Sequence, residues 1–259
     1  MAGKRVLVTG STAGIGFAAA RALAREGAAV TVNGRTDARV KSAVDRLRQE
    51  MQAPVNGVAA DLSTAAGCQA LISALPDVDV LVNNMGIFEP KPFEQIADEE
   101  WLRFFETNVL SGVRLARHYV GGMRARGWGR IIFVSSESAL QIPTEMIHYG
   151  VTKTAQLAVA RGLAETLTGT GVTVNTVLPG PTASEGVGAF VAQLAKARGV
   201  DVATVEREFF ATARPSSILQ RFATPDEVAA MIAYVSSTAA SATTGAALRV
   251  DRGVVRAIA

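Results

Sequence analysis

Arg5-Val6-Leu7-Val8-Thr9-Gly10-Ser11-Thr12-Ala13-Gly14-Ile15-Gly16 is the stretch on which the fold turns. An apolar, β-branched run from Arg5 to Val8 breaks into a glycine-rich turn, and an alanine- and leucine-rich segment of helical period follows from Phe17 to Glu26. Strand, tight turn and helix in that order form the first half of a βαβ unit. Glycines at 10, 14 and 16 permit the turn, remove Cβ atoms where a pyrophosphate would approach the backbone, and leave helix N-terminal amides aimed at it. A glycine-rich turn alone is weak evidence for a ligand, so its surroundings decide.

Outward from that turn, short β-branched runs alternate with longer helical stretches. The expected strands are Arg5 to Val8, Val30 to Asn33, Val55 to Ala59, Val80 to Asn83, Ile131 to Ser135, Val172 to Leu178 and Ala247 to Val250. The alternation predicts an α/β fold: a single doubly wound parallel sheet of about seven strands with helices on both faces, spanning residues 1–259. Asn83-Asn84-Met85-Gly86 closes the fourth strand, Ser135-Ser136 the fifth and Pro179-Gly180 the sixth. Ligands of open α/β sheets sit beyond the carboxyl ends of the strands, so these clusters converge on one site.

Composition fits this picture. Of the 259 residues, 49% are hydrophobic and 19% charged, enough for a sizeable core without a linker. The net charge of +3 comes from basic residues scattered among acids, not interleaved with aromatics, so no nucleic-acid partner is expected. The single cysteine, Cys68, excludes an intramolecular disulfide and reads as a small buried hydrophobe. The uncharged stretches Thr166 to Ser184 and Val228 to Leu248 are too rich in Ser, Thr and Gly to suggest membrane spans. Met1 to Thr9 moves directly into a strand pattern, and a cytoplasmic protein is expected.

The chemistry lies further along. Tyr149 and Lys153, at i and i+4, share a helix face, which sets an ammonium beside a phenol and favours the ionised phenol. Ser136 precedes them at the end of a strand. Together the three read as an acid/base device. His148 adjoins the tyrosine, but helical neighbours point about 100° apart and it is expected to face elsewhere. Asn108 falls on a helical stretch from Asp98 to about Arg126, on the stripe of Trp101, Phe104 and Phe105, where a core amide is the plain reading.

From Lys4 to about Asp251 the chain resembles the short-chain dehydrogenase/reductase family, nearest to its 3-oxoacyl-thioester reductases. The family's Thr-Gly-x-x-x-Gly-x-Gly loop matches Thr9 to Gly16, Asn-Asn-x-Gly matches Asn83 to Gly86, Tyr-x-x-x-Lys matches Tyr149 and Lys153, and Pro-Gly matches Pro179-Gly180. The resemblance implies a Rossmann-type fold and four catalytic residues. Asn108 would anchor a water in a proton relay, Ser136 would hold the substrate oxygen, Tyr149 would be the acid/base, and Lys153 would bind ribose hydroxyls and lower the tyrosine pKa. It further implies a dinucleotide held by Gly10, Ser11, Thr12, Gly14, Ile15, Gly16, Arg35, Asp61, Leu62, Asn84, Gly86, Tyr149, Lys153, Pro179, Gly180 and Thr182, with no metal.

Gly34 occupies the position after the second strand where an acid would select NAD(H), and Arg35 follows with a fork of donors for a 2′-phosphate. NADP(H) is therefore favoured. Ala13, where a basic residue is common, and the nearby Asp37 keep NAD(H) open. Met85 and Arg252 depart from the small residues common in the family; the first is expected to reshape the nicotinamide end, the second to alter a subunit contact. Residues 182–224 are expected to form a lid, with Phe190, Val191, Leu194, Phe209 and Phe210 either walling the pocket or packing beneath the lid helices. Glu137, Gln141, Glu145 and Glu185 are available for polar recognition. The substrate expected is a small carbonyl compound or alcohol. A non-catalytic nucleotide sensor and a dehydratase or epimerase are the other classes, and a homotetramer or homodimer the expected assembly.

Overall fold

The computed structural model describes residues 1–51 and 53–258, apart from the side chains of residues 186, 189 and 190. Seven strands, β1 (Arg5–Val8), β2 (Ala29–Gly34), β3 (Val55–Ala59), β4 (Val80–Asn83), β5 (Gly129–Val134), β6 (Val172–Pro179) and β7 (Ala247–Val250), form one sheet in the order β3-β2-β1-β4-β5-β6-β7. Every pairing is parallel. The chain winds outward from β1 in one direction, then crosses to β4 on its other side, which makes the β1/β4 boundary the switch point.

Strand period assigns the two faces. Val6 and Val8 of β1 join a core with Phe17, Leu23, Val30, Val32 and Ile232, while Leu7 between them joins Leu81, Leu115, Tyr119, Ile131 and Phe133 on the other side. Helices α1 (Gly14–Arg25) and α2 (Asp37–Glu50) contribute to the first core, together with α9 (Pro225–Ser236). The second draws on α3 (Ala65–Ala74), α5 (Ser111–Ala125) and α6 (Ile147–Glu165). Central strands β1 and β4 are buried almost throughout and read as apolar runs, whereas the edge strands β3 and β7 are partly exposed and β2 and β6 carry Thr and Asn between their valines. Among the described residues no helix is long and apolar enough to cross a membrane.

Several boundaries differ from expectation: β2 runs Ala29–Gly34 where Val30 to Asn33 was expected, and β5 runs Gly129–Val134, so Ser135 lies just past its end. Helix α1 starts at Gly14, inside the glycine turn, so the turn's amides already belong to its first helical turn. Strand β6 runs on to Pro179, which pairs with Val250 as the last residue of its ladder and brings Gly180 to the sheet end. The stretch expected as one helix from Asp98 is α4 (Asp98–Phe105) and α5 joined by a π-helical turn, Glu106–Leu110. Phe104 of α4 is fully buried, whereas Phe105, placed on the same stripe by the periodicity, is exposed.

Residues 182–224 carry α7 (Glu185–Arg198) and α8 (Val202–Thr212), which clasp a small core of their own from Val191, Ala195 and Val205. Both are capped by side chains, Ser184 at α7 and Asp201 at α8. Phe210 is completely buried, Phe209 is half-buried, and the Phe190 side chain lies outside the described residues.

Ile232, wholly buried where α9 covers α1, tests the first core. Ile232→Ala should lower the unfolding free energy by about 3 kcal/mol in urea titrations with an unchanged slope. A loss below about 1 kcal/mol would show that the α1/α9 contact does not carry this face.

Candidate active site

The glycine turn is fixed to β4 by side-chain hydrogen bonds. Asn84 Nδ2 donates to Thr9 O at 2.9 Å and Gly10 O at 3.0 Å, and Thr9 Oγ1 accepts from the backbone amides of Asn84 at 2.9 Å and Met85 at 3.0 Å. A Cβ on Gly16 would stand 2.4 Å from Asn84 Nδ2 and 2.5 Å from Gly10 O, so glycine is the one residue that fits there. Ser11 is committed to structure, with its hydroxyl donating to Val8 O at 2.6 Å and accepting from Asn33 N at 3.0 Å. Ala13 offers helix α1 no side-chain cap, which leaves the first-turn amides of Gly14, Ile15 and Gly16 available to an anion. This cradle suits a pyrophosphate.

Ser136, Tyr149 and Lys153 line one cavity of about 600 Å³ together with Ile15, Asn84, Gly86, Pro179, Gly180 and Thr182. Strand ends β4, β5 and β6 thus meet the mouth of α1, as the residue clusters implied. A second cavity, about 740 Å³, lies at the opposite, amino-terminal end of β5 and β6 around Arg130, Arg161 and Glu165 and contains none of these residues.

Lys153 is buried, and burial brings its pKa down to about 8. Its ammonium donates to Val134 O at 3.0 Å and Gln156 Oε1 at 3.3 Å, while Ser135 Oγ donates to its backbone carbonyl at 2.8 Å. One of its three protons is left for a ligand. The ammonium is 5.6 Å from the centre of the Tyr149 ring. Burial raises the Tyr149 pKa above the ordinary phenol value, a hydrogen bond with Ser136 opposes that, and the Glu137 charge adds to it. The expected depression of the tyrosine by Lys153 is therefore not seen in the protein alone: the ammonium is turned toward the β5 carbonyl.

Asn108 sits in the π-helical turn with every polar group engaged. Its Oδ1 accepts from Ile87 N at 2.8 Å, and its Nδ2 donates to Ile87 O at 3.0 Å and Thr152 Oγ1 at 2.9 Å. Its backbone carbonyl accepts from Gln156 Nε2 at 2.5 Å. The Asn108 carbonyl and the Lys153 ammonium are also joined through the Gln156 side chain, which donates to the first and accepts from the second. Gln156 and Thr152 were missed by the sequence reading, although Gln156 stands at i+3 from Lys153 on the same helix face.

Other expected contacts are placed less centrally. Leu62 is a core residue, and Asp61 is exposed and accepts from Ser63. Arg35 is exposed just past β2, without an ion pair among the described residues. A Cβ on the neighbouring Gly34 would meet Thr12 Cγ2 at 2.5 Å, so a larger residue there would have to displace that side chain. His148 faces away from the cavity, fully buried and 4.1 Å from Phe104 between ring centres, and desolvation lowers its pKa. Met85 packs into the second core and leaves the cavity wall to Asn84 and Gly86. Arg252, expected at a subunit contact, turns its guanidinium into the protein 5.9 Å from the Phe210 ring, on a left-handed backbone with φ of 57°.

Residues 182–224 supply an apolar wall from Val187, Val191, Leu194 and Phe209. Of the four polar candidates, Glu137 and Glu145 line the cavity; Gln141 donates to Ser216 and Glu185 lies 3.7 Å from Arg46 at the surface. Arg214, another residue the sequence reading passed over, joins both lining carboxylates, at 3.2 Å in each case.

Comparison with known proteins agrees with this geometry. Residues 4–195 match the family model described as short chain dehydrogenase. The chain is 49% identical over 257 residues to the uncharacterized oxidoreductase YvaG of Bacillus subtilis (strain 168), covering 99% of this chain and 97% of that protein. It is 34% identical to a D-beta-hydroxybutyrate dehydrogenase of Cupriavidus necator, covering 98% of each. The L-sorbose reductase of Gluconobacter frateurii, solved with NADPH and L-sorbose, superimposes with a TM-score of 0.93 at 32% identity over 100% of this chain and 98% of its own. On the matched motifs, the sheet order and this likeness along its whole length, the chain belongs to the short-chain dehydrogenase family.

Proposed function

We propose that this protein transfers a hydride between NADP(H) and a carbonyl or secondary alcohol, with Tyr149 as the acid/base. The observation that carries the reading is the meeting of Ser136, Tyr149 and Lys153 in one cavity with the uncapped mouth of α1. The bound nicotinamide supplies the hydride and takes it back in the reverse direction. Everything else falls to the protein. Free amides of α1 hold the pyrophosphate, and the remaining proton of Lys153 is available to a ribose hydroxyl. Ser136 positions the substrate oxygen, and the Tyr149 hydroxyl gives that oxygen its proton as negative charge develops. The phenolate left behind is stabilised by the Lys153 ammonium, 5.6 Å from its ring centre.

Preference for NADP(H) rests on Gly34 and Arg35. With no acid at the end of β2, nothing there repels a 2′-phosphate, and the exposed guanidinium offers it paired donors. The NADPH bound by the L-sorbose reductase of G. frateurii supports the same choice. Assembly as a dimer or tetramer is in keeping with Leu102 and Phe105 of α4 and Val151 of α6, all exposed apolar side chains.

Tyr149→Phe removes the proton and little volume. Turnover should fall by about 10³-fold while NADPH affinity, read by fluorescence titration, stays within a few-fold of the parent; loss of nucleotide binding instead would assign the tyrosine to structure. Arg35→Ala should reduce kcat/KM with NADPH by roughly tenfold or more and leave NADH nearly unaffected, and an equal loss with both nucleotides would remove Arg35 from phosphate recognition. The pH dependence follows from Lys153, whose pKa is brought down to about 8. The cation is the working form and is lost as pH rises through that value. In the direction of carbonyl reduction kcat/KM should be level below about pH 7 and decline above about pH 8, a limb that Lys153→Met abolishes; a profile still level at pH 9.5 would contradict the assignment.

A further inference from the structure

Ser136 is already occupied in this structure. Its hydroxyl donates to Glu137 Oε2 at 2.6 Å and accepts from Ser138 N at 3.1 Å. A serine has one hydroxyl proton, so donation to Glu137 and donation to a reacting oxygen exclude each other. The Glu137 side chain is only 5% exposed, and its other oxygen, Oε1, accepts from Arg214 Nε at 3.2 Å. Arg214 follows the lid helix α8, is itself 12% exposed, and also donates from Nη1 to Glu145 Oε1 at 3.2 Å and Ala213 O at 2.7 Å. Ser136, Glu137, Glu145 and Arg214 all line the same cavity as Tyr149.

When Ser136 turns to the substrate oxygen, Glu137 Oε2 loses its donor. A buried carboxylate oxygen without a donor is costly, and the costliest moment would be the transition state, when Ser136 is most needed. The deficit vanishes if the substrate brings a donor of its own. A hydroxyl fits the requirement: it donates to Glu137 and can accept from Arg214. An ammonium would be repelled by Arg214, and a carboxylate by Glu137 and Glu145. Reach fixes its position. The reacting oxygen would lie roughly 2.7 Å from Ser136 Oγ, which places Glu137 Oε2 within about 5 Å of it, the range of a hydroxyl on the neighbouring carbon.

We infer that Glu137, held by Arg214, is a specificity-determining residue that selects carbonyl substrates bearing a hydroxyl on the carbon beside the reacting carbonyl, with an apolar remainder under the lid. This deepens the reading of the site as a carbonyl reductase and rests on it. The hydroxyl is a spectator: hydride still goes to the carbonyl carbon and the Tyr149 proton to its oxygen. The apolar remainder follows from Val187, Val191, Leu194 and Phe209, which wall the far side of the cavity.

The test compares hexan-2-one with 1-hydroxyhexan-2-one, a pair that differs by one hydroxyl, in NADPH oxidation by the parent protein, Glu137→Leu and Glu137→Gln. The parent should favour the hydroxy ketone at least tenfold in kcat/KM, as a site that must satisfy a buried polar group does. In Glu137→Leu that ratio should collapse toward one, because the acceptor that the extra hydroxyl satisfies is gone. Glu137→Gln, equal in size, should move the ratio the same way and covers the case in which the leucine variant does not fold; NADPH binding monitors folding in both. A parent ratio near one, or a high ratio that survives in the folded variants, overturns the inference and leaves the carbonyl-reductase reading standing. Failure of the parent to turn over either ketone with either nucleotide overturns both.

Discussion

An ammonium held inside the protein is the constraint on which the site depends. Lys153 is displaced from the ordinary lysine pKa of 10.5 to about 8 by burial, which corresponds to roughly 3 kcal/mol against its charged form. The fold offsets part of that with two acceptors, the Val134 carbonyl at the end of β5 and the Gln156 amide one turn along α6. Ser135 fixes the helix backbone at the same residue, and Asn108 with Thr152 and Gln156 ties α6 to the π-helical turn. A cation so placed is short of partners by one proton. In the proposed complex a ribose hydroxyl would take up that unused donor, so nucleotide binding and charge on Lys153 would support each other.

The second requirement is that the sheet end stay open yet rigid. Parallel strands buried on both faces give a stiff base, and the β1/β4 boundary is the one place where no crossover helix covers the strand ends. Thr9 and Asn84 lock that boundary through four hydrogen bonds, without which the glycine turn would be free to collapse on itself. Ser136, just past β5, and Tyr149 and Lys153 on α6 then inherit their positions from the sheet register. Residues 182–224 differ in kind: they pack through a small core of their own and reach the cavity by the Arg214 ion pairs, so they shape it electrostatically as well as sterically.

Much of this was legible from residue order because the fold writes it locally. Strand ends marked by Gly10, Asn84, Ser136 and Gly180 are separated in sequence by whole crossover units, and a parallel sheet brings such residues to one end of its strands. What escaped notice depends on distant partners. The π-helical turn at Asn108 reflects hydrogen bonds to Ile87 and Thr152, neither of which helical periodicity can anticipate. Gln156 reads as an ordinary helix residue until its two contacts are known, and Arg214 as one charge in a mobile-looking segment until it meets Glu137. The inward course of Arg252 escaped notice for the same reason: a turn in the left-handed region sends its side chain toward Phe210, and sequence gives an arginine no reason to adopt one.

The most direct test of the whole account is the crystal structure of the ternary complex with NADP⁺ and an alcohol or ketone. It should place Tyr149 Oη and Ser136 Oγ both within hydrogen-bond distance of the substrate oxygen, the nicotinamide between Gly180 and Tyr149, and Lys153 Nζ against a ribose hydroxyl. A nicotinamide ring outside that cavity, or a Tyr149 hydroxyl turned away from the substrate, would contradict it.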